Sequence, residues 1–409
     1  MMTLTGADRV VIVGAGLAGW RTCEELRRHG FAGGLTLIGD EAYPPYDRPP
    51  LSKQVMSGKW PLDHTTLATP EKLEKNQVDL RVGVAATHLD VTSTAVTLSD
   101  DSIVAGTHVV IATGARARRL VWHETYLNEV RSRDDATRLI SRLEQLSPGD
   151  VVAIIGAGFI GAEVATAVSA RGLRPIILEA AERPLINVLG EIVSKWLEHL
   201  PGDVGIELRT AQKIVAVTDH RYDNGDANVV FDDGSLLHAR AVVVGVGAQP
   251  NVEWLADSGL EVSNGVVVDR NQLCAARVAA VGDVASFPWT NGEHVRIEHW
   301  QVATDHAGAL ARHWMTGEDS PTLIPYFWSD QYGQKIQMLG HPRPSDDVVR
   351  VKDTGENLWL ALYVRDGIVS GLIALGQPRA LMLSKPLLVR PTTLEDALAS
   401  APWAPPASA

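Results

Sequence analysis

The stretch that decides the fold is Val11-Ile-Val-Gly-Ala-Gly-Leu-Ala-Gly19, which recurs as Ala153-Ile-Ile-Gly-Ala-Gly-Phe-Ile-Gly161. Each copy follows a run of β-branched residues and precedes a segment of helical composition. A further apolar strand is predicted after each helix, at 35–38 and at 176–178. This strand–turn–helix–strand order is the context that a dinucleotide-binding fingerprint requires. The helices are predicted at 20–29 and 162–170.

A second repeat follows the first in the same order. Val109-Val-Ile-Ala-Thr-Gly-Ala115 corresponds to Val242-Val-Val-Gly-Val-Gly-Ala248, and an acidic turn precedes each copy. Past residue 325 the pattern changes, because strand-like segments at 358–364 and 368–375 flank a hairpin signal, Arg365-Asp-Gly367. We therefore predict an α/β protein with two Rossmann-like nucleotide-binding domains and a C-terminal α+β domain.

Composition excludes several classes of protein. The 409 residues carry a formal net charge of −12, which argues against general binding of nucleic acid. No run of apolar residues is long enough for a membrane helix, and no signal peptide is visible, so we expect a cytoplasmic protein. Cys23 and Cys274 are the two cysteines, too far apart in sequence for a CxxC motif or a cysteine-rich metal cluster. A redox dithiol, a structural zinc and an intrinsic iron–sulfur centre are not expected.

The glycines of the two fingerprints have separate tasks. Gly14 allows the turn, Gly16 lets the backbone approach a pyrophosphate, and Gly19 lets the helix pack against the strand. The pyrophosphate then lies at the positive end of the helix. One such motif alone could be a plain strand–helix turn, but two copies favour two nucleotide sites. The candidate contacts are Gly14, Ala15, Gly16, Leu17, Ala18 and Gly19 in the first copy and Gly156, Gly158, Phe159, Ile160 and Gly161 in the second.

An acidic residue follows each fingerprint and indicates the ligand. Asp40 and Glu41 follow the second strand of the first copy, and Glu179 follows that of the second. A carboxylate there accepts hydrogen bonds from ribose hydroxyls and repels a 2′-phosphate, so Glu179 favours NADH over NADPH. Arg183 lies close enough in sequence to weaken that preference. The alternative is a solvated carboxylate at a strand end.

Two nucleotides on one chain suggest hydride transfer between a nicotinamide and a flavin. The first domain is interrupted and then resumed, so we assign it the flavin. Val278-Ala-Ala-Val-Gly-Asp283 predicts a strand that ends at Gly282, with Asp283 placed to bind the ribityl chain. A simple Gly-Asp turn is the alternative.

Several more specific segments carry a resemblance to a known family. They are Pro45-Tyr-Asp-Arg-Pro-Pro-Leu-Ser-Lys53, Ala112-Thr-Gly114, Gly282-Asp283, Arg296-Ile-Glu298 and Phe327-Trp-Ser-Asp-Gln-Tyr332. Together they resemble the oxygenase-coupled NADH:ferredoxin reductases, which are FAD enzymes of the glutathione-reductase fold group. The resemblance covers nearly the whole chain. It implies an FAD domain at 1–118 and 248–323, an NADH domain at 119–247 and a C-terminal domain at 324–409. From composition, we expect the end of the C-terminal domain, from Ala401, to form a mobile tail.

The resemblance also implies roles for individual residues. Lys53 and Glu163 would pair beside flavin N5, and Trp328 would cover the flavin edge that faces a ferredoxin. Helix-end electrostatics is the alternative for Glu163, which the sequence places in the first turn of its helix, and a buried indole is the alternative for Trp328. The other residues that match cofactor positions are Arg48, Ala86, Ala112, Thr113, Gly114, Arg131, Trp300 and Gly247.

The expected reaction passes a hydride from NADH to FAD and then single electrons to a small iron–sulfur ferredoxin that serves a haem monooxygenase or a Rieske dioxygenase. No dithiol is present to receive the electrons within the chain. Ferredoxins of this kind are acidic, so a basic docking patch is expected, with candidates Arg116, Arg118, Arg119, Arg312, Arg343 and Arg379. The alternatives are an NADH oxidase, which would use a cysteine near Ser52 that is missing, and a redox-sensing protein resembling apoptosis-inducing factor. We expect a monomer or a weak dimer.

Overall fold

The computed structural model describes residues 3–120, 127–219, 226–289 and 292–404. The chain divides into two compact units. The first contains Met1–Asp47, Asp63–Arg116 and Ala248–Pro325, and the second contains Arg48–Leu62, Ala117–Gly247 and Tyr326–Ala409. The predicted three-domain boundaries differ from this division at 48–62, and they stay a prediction.

A six-stranded sheet forms the centre of the first unit. Its strands lie in the order Leu273–Ala275, Val278–Ala280, His108–Ile111, Arg9–Val13, Gly34–Ile38 and Val78–Arg81. All neighbouring pairs except the first are parallel. After their first residues, Arg9 and His108, the two central strands are apolar and buried, because both faces of a parallel sheet are covered. The unit contains the helices Leu17–Arg28, Pro70–Lys75 and Trp300–Thr316 and the 3-10 helices Glu253–Leu255 and Gly282–Val284.

Two smaller sheets complete the first unit. A three-stranded antiparallel sheet consists of Ala86–Asp90, Ala95–Leu98 and Ile103–Ala105. A four-stranded mixed sheet consists of Val262–Ser263, Gly265–Val267, Ala285–Pro288 and His294–Arg296. The short strands Ala115–Ala117 and Ala248–Pro250 and the 3-10 helix Leu62–Thr65 lie at points where the division between the units falls.

The second unit repeats the plan of the first in a smaller form. Its parallel sheet has the order Glu207–Arg209, Arg174–Leu178, Val151–Ile155 and Ala241–Val244. A three-stranded antiparallel sheet, Ile214–Asp219, Ala227–Phe231 and Leu236–Ala239, accompanies it. The helices of this part are Arg133–Leu143, Phe159–Ser169, Ile186–Leu197 and Leu200–Asp203, with a 3-10 helix at Pro49–Ser52. The predicted α/β class with two Rossmann-like domains is therefore confirmed.

The C-terminal part of the second unit is a five-stranded antiparallel sheet. Its order is Tyr326–Gln331, Gln334–Gly340, Ile368–Leu375, Trp359–Arg365 and Asp347–Asp353, followed by the helices Pro378–Leu383 and Leu394–Ser400 and the 3-10 helix Lys385–Leu388. The predicted hairpin is confirmed, with Asp366 and Gly367 at positive φ as a two-residue turn requires. Trp403, which composition assigned to a mobile tail, is instead buried, whereas residues 405–409 of that predicted tail lie outside the described residues.

The helices that follow the two glycine loops start earlier in the chain than the sequence predicted. Both fingerprint helices begin three residues earlier than predicted, because Gly16 and Gly158 are themselves the N-caps and the third glycine lies in the first turn. Over the described parts of the chain, no helix is long and apolar enough to cross a membrane.

Candidate functional site

In the first glycine loop, only the middle one of the three glycines has space for a side chain. Gly14 has φ +118°, and a Cβ there would lie 2.1 Å from the Ala112 carbonyl oxygen. A Cβ on Gly19 would lie 2.0 Å from the carbonyl oxygen of Gly14. In contrast, a Cβ on Gly16 would meet nothing within 4 Å. The close contacts therefore fix the loop against the sheet, and the middle glycine borders open space.

The helix that follows this loop begins with uncapped donors. Gly16 makes no side-chain cap, and the first turn after it carries no acidic residue. The N–H groups at a helix start, together with the helix dipole, favour an anion such as a pyrophosphate. Leu17 and Ala18 begin the helix at this point, and Ala15 precedes its cap. The loop fits the diphosphate of a dinucleotide.

The acidic residues beyond the second strand lie in two different settings. Gly39 takes the first position after the strand, where a Cβ would lie 2.6 Å from the Cβ of Ala15. Asp40 is exposed and accepts a hydrogen bond from the Glu41 N–H at 3.0 Å. The Glu41 carboxylate is held by the Tyr46 hydroxyl at 2.6 Å. Asp40 is thus the carboxylate with more room for a ribose.

The segment 112–114 is held by a residue that sequence reasoning missed. The Thr113 hydroxyl donates to the Asn251 carbonyl at 2.8 Å, and the Asn251 amide group donates to the Thr113 carbonyl at 2.9 Å. The Asn251 N–H also donates to the carbonyl oxygen of Gly114. Asn251 lies three residues after the second copy of the repeat, which ends at Ala248, and this proximity is the signal that the sequence offers for it.

The predicted Gly-Asp turn lies beside the first fingerprint helix. A Cβ on Gly282 would lie 2.7 Å from that of Ala18, and its N–H donates to His306 Nδ1 at 3.2 Å. His306 is fully buried, and this burial lowers its pKa to about 3. Gly282 therefore lies next to the start of the helix that Gly16 caps, and Asp283 is the next residue in the chain. Its contact with a cofactor stays a prediction.

Two further residues predicted from the resemblance lie in the same unit. Ala86 begins a strand and pairs with Leu98, half-buried. Trp300 begins a helix, and its indole N–H donates to Asp47 Oδ1 at 2.8 Å. Their cofactor contacts stay a prediction.

The second glycine loop has the same geometry as the first. Gly156 has φ +103°, and a Cβ on it would lie 2.4 Å from the Gly245 carbonyl oxygen. A Cβ on Gly161 would lie 2.0 Å from the carbonyl oxygen of Gly156. A Cβ on Gly158, in contrast, would lie 4.0 Å from the carbonyl oxygen of Gly245, which is an ordinary distance. Phe159 and Ile160 follow this N-cap, and the helix again starts without an acidic residue or a side-chain cap.

Glu179 lies against this second loop. Its Oε2 accepts a hydrogen bond from the Ala157 N–H at 2.7 Å, and its Oε1 accepts one from the Ala181 N–H at 2.9 Å. Arg183 is directed elsewhere, because its guanidinium pairs with Glu198. Gly247, at φ +105°, has open space at its Cα. The structure thus brings Glu179 to the second glycine loop, and its contact with a nucleotide ribose stays a prediction.

Glu163 is not where the sequence placed it. It is the fifth residue of its helix, and the first turn holds no acidic residue, so the helix-end explanation is wrong. Its carboxylate is 3% exposed and lies 2.8 Å from the Lys53 ammonium, which confirms that these two residues pair. Ser52 and Ser329, which sequence reasoning missed, each donate a hydrogen bond to it at 2.6 Å.

Arg48 lies in the same unit, four residues before Ser52, the first of the two neighbours that contact Glu163. Its guanidinium donates to the Arg131 carbonyl at 2.6 Å. The structure therefore brings together these two residues, which the resemblance assigned separately to the flavin.

The strand Tyr326–Gln331 separates two faces. Ser329 and Gln331 are buried on one face, on which Phe327 packs against Phe159 with ring centroids 4.4 Å apart. Trp328 points to the other face, where it stacks on Tyr326 with centroids 5.9 Å apart. Trp328 is half-buried rather than fully buried, and its predicted role at the flavin edge stays a prediction.

Three of the six candidate docking arginines pair with glutamates. Arg116 contacts Glu253, Arg119 contacts Glu129 and Arg312 contacts Glu318. Arg118 and Arg379 are exposed, and the backbone N–H of Arg343 donates to Asp346. The pairing of the first three reduces their local charge, so these arginines fit a dedicated basic patch less well than predicted.

Both cysteines are free thiols; Cys23 is buried and Cys274 is half-buried. Burial raises the pKa of each thiol to about 12, and Cys274 donates a weak hydrogen bond to the Val278 carbonyl. Since the thiolate is the reactive form, neither residue is suited to redox chemistry. That both cysteines are spectators in the reaction stays a prediction.

Comparison with known proteins gives matches over almost the whole chain. A model for pyridine nucleotide-disulphide oxidoreductases matches residues 8–307, and a reductase C-terminal model matches 326–405. Rhodocoxin reductase of Rhodococcus erythropolis is 33% identical, over 95% of this chain and 91% of its own. The ferredoxin reductase component of chlorobenzene dioxygenase from Cupriavidus sp. strain PS12 is 32% identical, over 96% of this chain and 95% of its own. The crystal structure of the covalent putidaredoxin reductase–putidaredoxin complex matches with a TM-score of 0.88 at 29% identity, over 94% of each chain.

Proposed function

The chain belongs to the pyridine nucleotide-disulphide oxidoreductase family, and from that premise we propose that it is an FAD-dependent NADH:ferredoxin oxidoreductase. The predicted resemblance to oxygenase-coupled ferredoxin reductases, with the glutathione reductase-like fold, is confirmed by its relatives. The observation that carries the proposal is the pair of matching glycine loops in a chain whose two cysteines are both free thiols.

FAD and NADH are the two nucleotides. We assign FAD to the Gly14–Gly19 loop, with Asp40 toward the ribose and Asp283 toward the ribityl chain, and NADH to the Gly156–Gly161 loop with Glu179. FAD, when bound, supplies the change from the two-electron chemistry of NADH to the one-electron chemistry of an iron–sulfur acceptor. The chain itself binds and orients both nucleotides, since hydride transfer depends on proximity and orientation more than on acid–base groups.

The remaining residue roles belong to this proposal. Lys53, paired with Glu163, would orient the nicotinamide and place a positive charge beside the flavin ring. Trp328 would cover the flavin edge toward the acceptor. The open space at Gly16 and Gly158 supports the two diphosphate assignments, and the buried ion pair supports the role of Lys53.

The acceptor follows from the relatives and from the thiols. One relative is named a ferredoxin reductase component of a dioxygenase, and another is called rhodocoxin reductase. Electrons that reach FAD have no thiol pair within the chain to receive them, so they leave for a separate protein. We propose a small iron–sulfur ferredoxin that serves a haem monooxygenase or a Rieske dioxygenase.

Anaerobic stopped-flow mixing with NADH tests the first half of the reaction, and ferredoxin-dependent reduction of cytochrome c tests the second. Rapid reduction by NADH and a strong dependence on added ferredoxin are expected. Rapid oxygen consumption without ferredoxin would instead identify an NADH oxidase. Slow reduction with a long-lived charge-transfer band would identify a redox sensor like apoptosis-inducing factor.

Location and assembly are further parts of the proposal. We propose that the protein works in the cytoplasm, where NADH is regenerated, and cell fractionation tests this. We also propose a monomer or a weak dimer, which sedimentation at several protein concentrations would distinguish from a tight oligomer.

A further inference from the structure

Glu163 receives three hydrogen-bond donors in a place almost closed to water. Its Oε2 accepts from the Lys53 ammonium at 2.8 Å and from the Ser52 hydroxyl at 2.6 Å. Its Oε1 accepts from the Ser329 hydroxyl at 2.6 Å. Ser52 and Ser329 are 3% and 0% exposed, so water does not compete for these bonds. Both carboxylate oxygens are therefore held.

The hydroxyl protons have one favourable acceptor each. Ser52 Oγ lies 3.4 Å from the Pro49 carbonyl, which is much farther than Glu163, so its single proton goes to the carboxylate. Ser329 Oγ lies 3.4 Å from the Gln331 side-chain nitrogen, which acts as donor, and this leaves the serine proton for Glu163. Hydrogen bonds to a charged acceptor are stronger than neutral ones, and they cost most when one is lost in a buried place.

A lysine alone would not fix the carboxylate plane. The last torsion of a glutamate side chain is broad, so a carboxylate held at one oxygen can rotate about it. Ser329, which enters from the first strand of the C-terminal sheet, holds the oxygen that Lys53 does not contact. Because the carboxylate cannot turn, the ammonium that bonds to its other oxygen keeps one position as well.

We propose that Ser52 and Ser329 are positioning residues, which hold Glu163 in one orientation and thereby keep the Lys53 ammonium in place for hydride transfer. The inference rests on the proposed function, in which Lys53 serves the reaction with NADH. It gives Ser329 of the Phe327–Tyr332 segment a task that is separate from that of Trp328.

The test is Ser329→Ala in the FAD-loaded enzyme, with Ser194→Ala as the matched control. Ser194 is also fully buried in the second unit, but its hydroxyl has no hydrogen-bond partner among the residues that the structure describes. For Ser329→Ala, the rate constant of flavin reduction at saturating NADH should fall roughly tenfold, while the dissociation constant for NADH changes less than about twofold. Ser52→Ala should give a smaller fall, because Lys53 still contacts Oε2.

A second measurement reports on the lysine directly and needs no turnover. Competitive acylation with acetic anhydride, followed by mass spectrometry, gives the reactivity of Lys53 relative to Lys335, which is half-exposed and pairs with Asp330. We expect Lys53 to react several-fold faster in Ser329→Ala than in the wild type or in Ser194→Ala.

The inference is overturned if Ser329→Ala and Ser52→Ala match Ser194→Ala in both the reduction rate and the acylation of Lys53. It is also overturned if affinity for NADH falls as much as the rate, since that indicates general damage to the site. A wild-type enzyme that NADH fails to reduce would refute the proposed function instead, and the acylation experiment would still decide whether the serines hold Lys53.

Discussion

The two glycine loops share a backbone but differ at the residue that follows the second strand of each sheet. Gly39 and Glu179 occupy equivalent positions in the two sheets. The backbone N–H of each donates to the carbonyl oxygen of the arginine that ends the neighbouring strand, Arg81 for Gly39 and Arg209 for Glu179. In the second loop this position supplies a carboxylate that accepts a hydrogen bond from the Ala157 N–H. In the first loop it supplies none, and Asp40 comes one residue later.

This difference shows how one scaffold takes two nucleotides. At the first loop, a Cβ on Gly39 would overlap Ala15, so the acid must approach from the next position, in water. At the second loop, Glu179 is fixed by two backbone N–H groups and faces any 2′-phosphate with a held negative charge. The second loop is therefore the more selective of the two toward the ribose.

The largest expected effect comes from blocking one loop at a time. Gly19→Ala and Gly161→Ala would each place a Cβ 2.0 Å from a carbonyl oxygen, which costs about 3 kcal/mol of local strain. Gly19→Ala should lose FAD, measured as visible absorbance per chain. Gly161→Ala should keep FAD and lose affinity for NADH.

The matched controls are Gly6→Ala and Gly202→Ala, where a Cβ would have its nearest neighbour at 3.9 Å or none within 4 Å. Both controls should bind both nucleotides. If Gly161→Ala loses FAD as well, the two loops do not serve separate ligands.

The next largest effect concerns His306, the buried histidine that accepts a hydrogen bond from the Gly282 N–H. The pKa of His306 is lowered to about 3 by burial, from an ordinary value of 6.5. The unfolded chain therefore takes up this proton first, so the contribution to stability is complete above pH 6.5 and is lost as the pH falls toward 3. Between pH 6.5 and 4.5 the loss should be about 2 kcal/mol.

His306→Asn keeps an acceptor for the Gly282 N–H and removes the titration. Denaturant unfolding of the holoenzyme, followed by FAD release, should show a smaller dependence on pH in this variant than in the wild type. Equal slopes for the two proteins over this range would contradict the assignment.

The third effect tests the ribose carboxylate. Glu179→Ala should weaken NADH binding about tenfold, roughly 1.4 kcal/mol, and raise the use of NADPH relative to NADH. Glu179→Gln removes the negative charge but keeps a hydrogen-bond acceptor. It therefore separates the effect of the charge from the effect of the hydrogen bonds. Asp40→Ala, at the exposed acid of the first loop, should change FAD affinity less. An unchanged NADPH-to-NADH ratio of kcat/KM would show that Glu179 is not at the ribose.

The smallest effect concerns Arg183. Its pairing with Glu198 occupies the one arginine that follows Glu179 closely. In a Glu179→Ala background, Glu198→Gln should release Arg183 and improve kcat/KM for NADPH by a further factor of about three, as expected for a partly exposed charge. Adding Arg183→Ala should remove this gain, and a gain that persists would assign it to another group.

The parts of the fold that the sequence predicted are those set by local spacing. Gly14 and Gly19 must be glycines because their neighbours leave no space for a Cβ, and the Asp366-Gly367 turn needs positive φ at both residues. The same rules gave the two loops and the C-terminal hairpin. The two helices after the glycine loops start three residues before the predicted positions, because the middle glycine of each loop is the N-cap.

The rest depends on contacts between distant parts of the chain. Ser52 and Ser329 reach Glu163 across 111 and 166 residues, and no local pattern marks a serine as a donor to a carboxylate. Asn251 and His306 also act through contacts between distant residues: Asn251 through three hydrogen bonds with Thr113 and Gly114, and His306 through the Gly282 N–H. The burial of Trp403 also follows from tertiary packing that composition does not report.

The raised pKa values of the two thiols have a practical consequence for experiments on this protein. Because Cys23 and Cys274 have pKa values raised to about 12, maleimides and other thiol reagents should leave the native chain unmodified at neutral pH. A single cysteine introduced at an exposed position, such as Arg379, would then be the only reactive handle. Spin labels, fluorophores or a cross-link to an acceptor protein can be attached there without first removing any native cysteine.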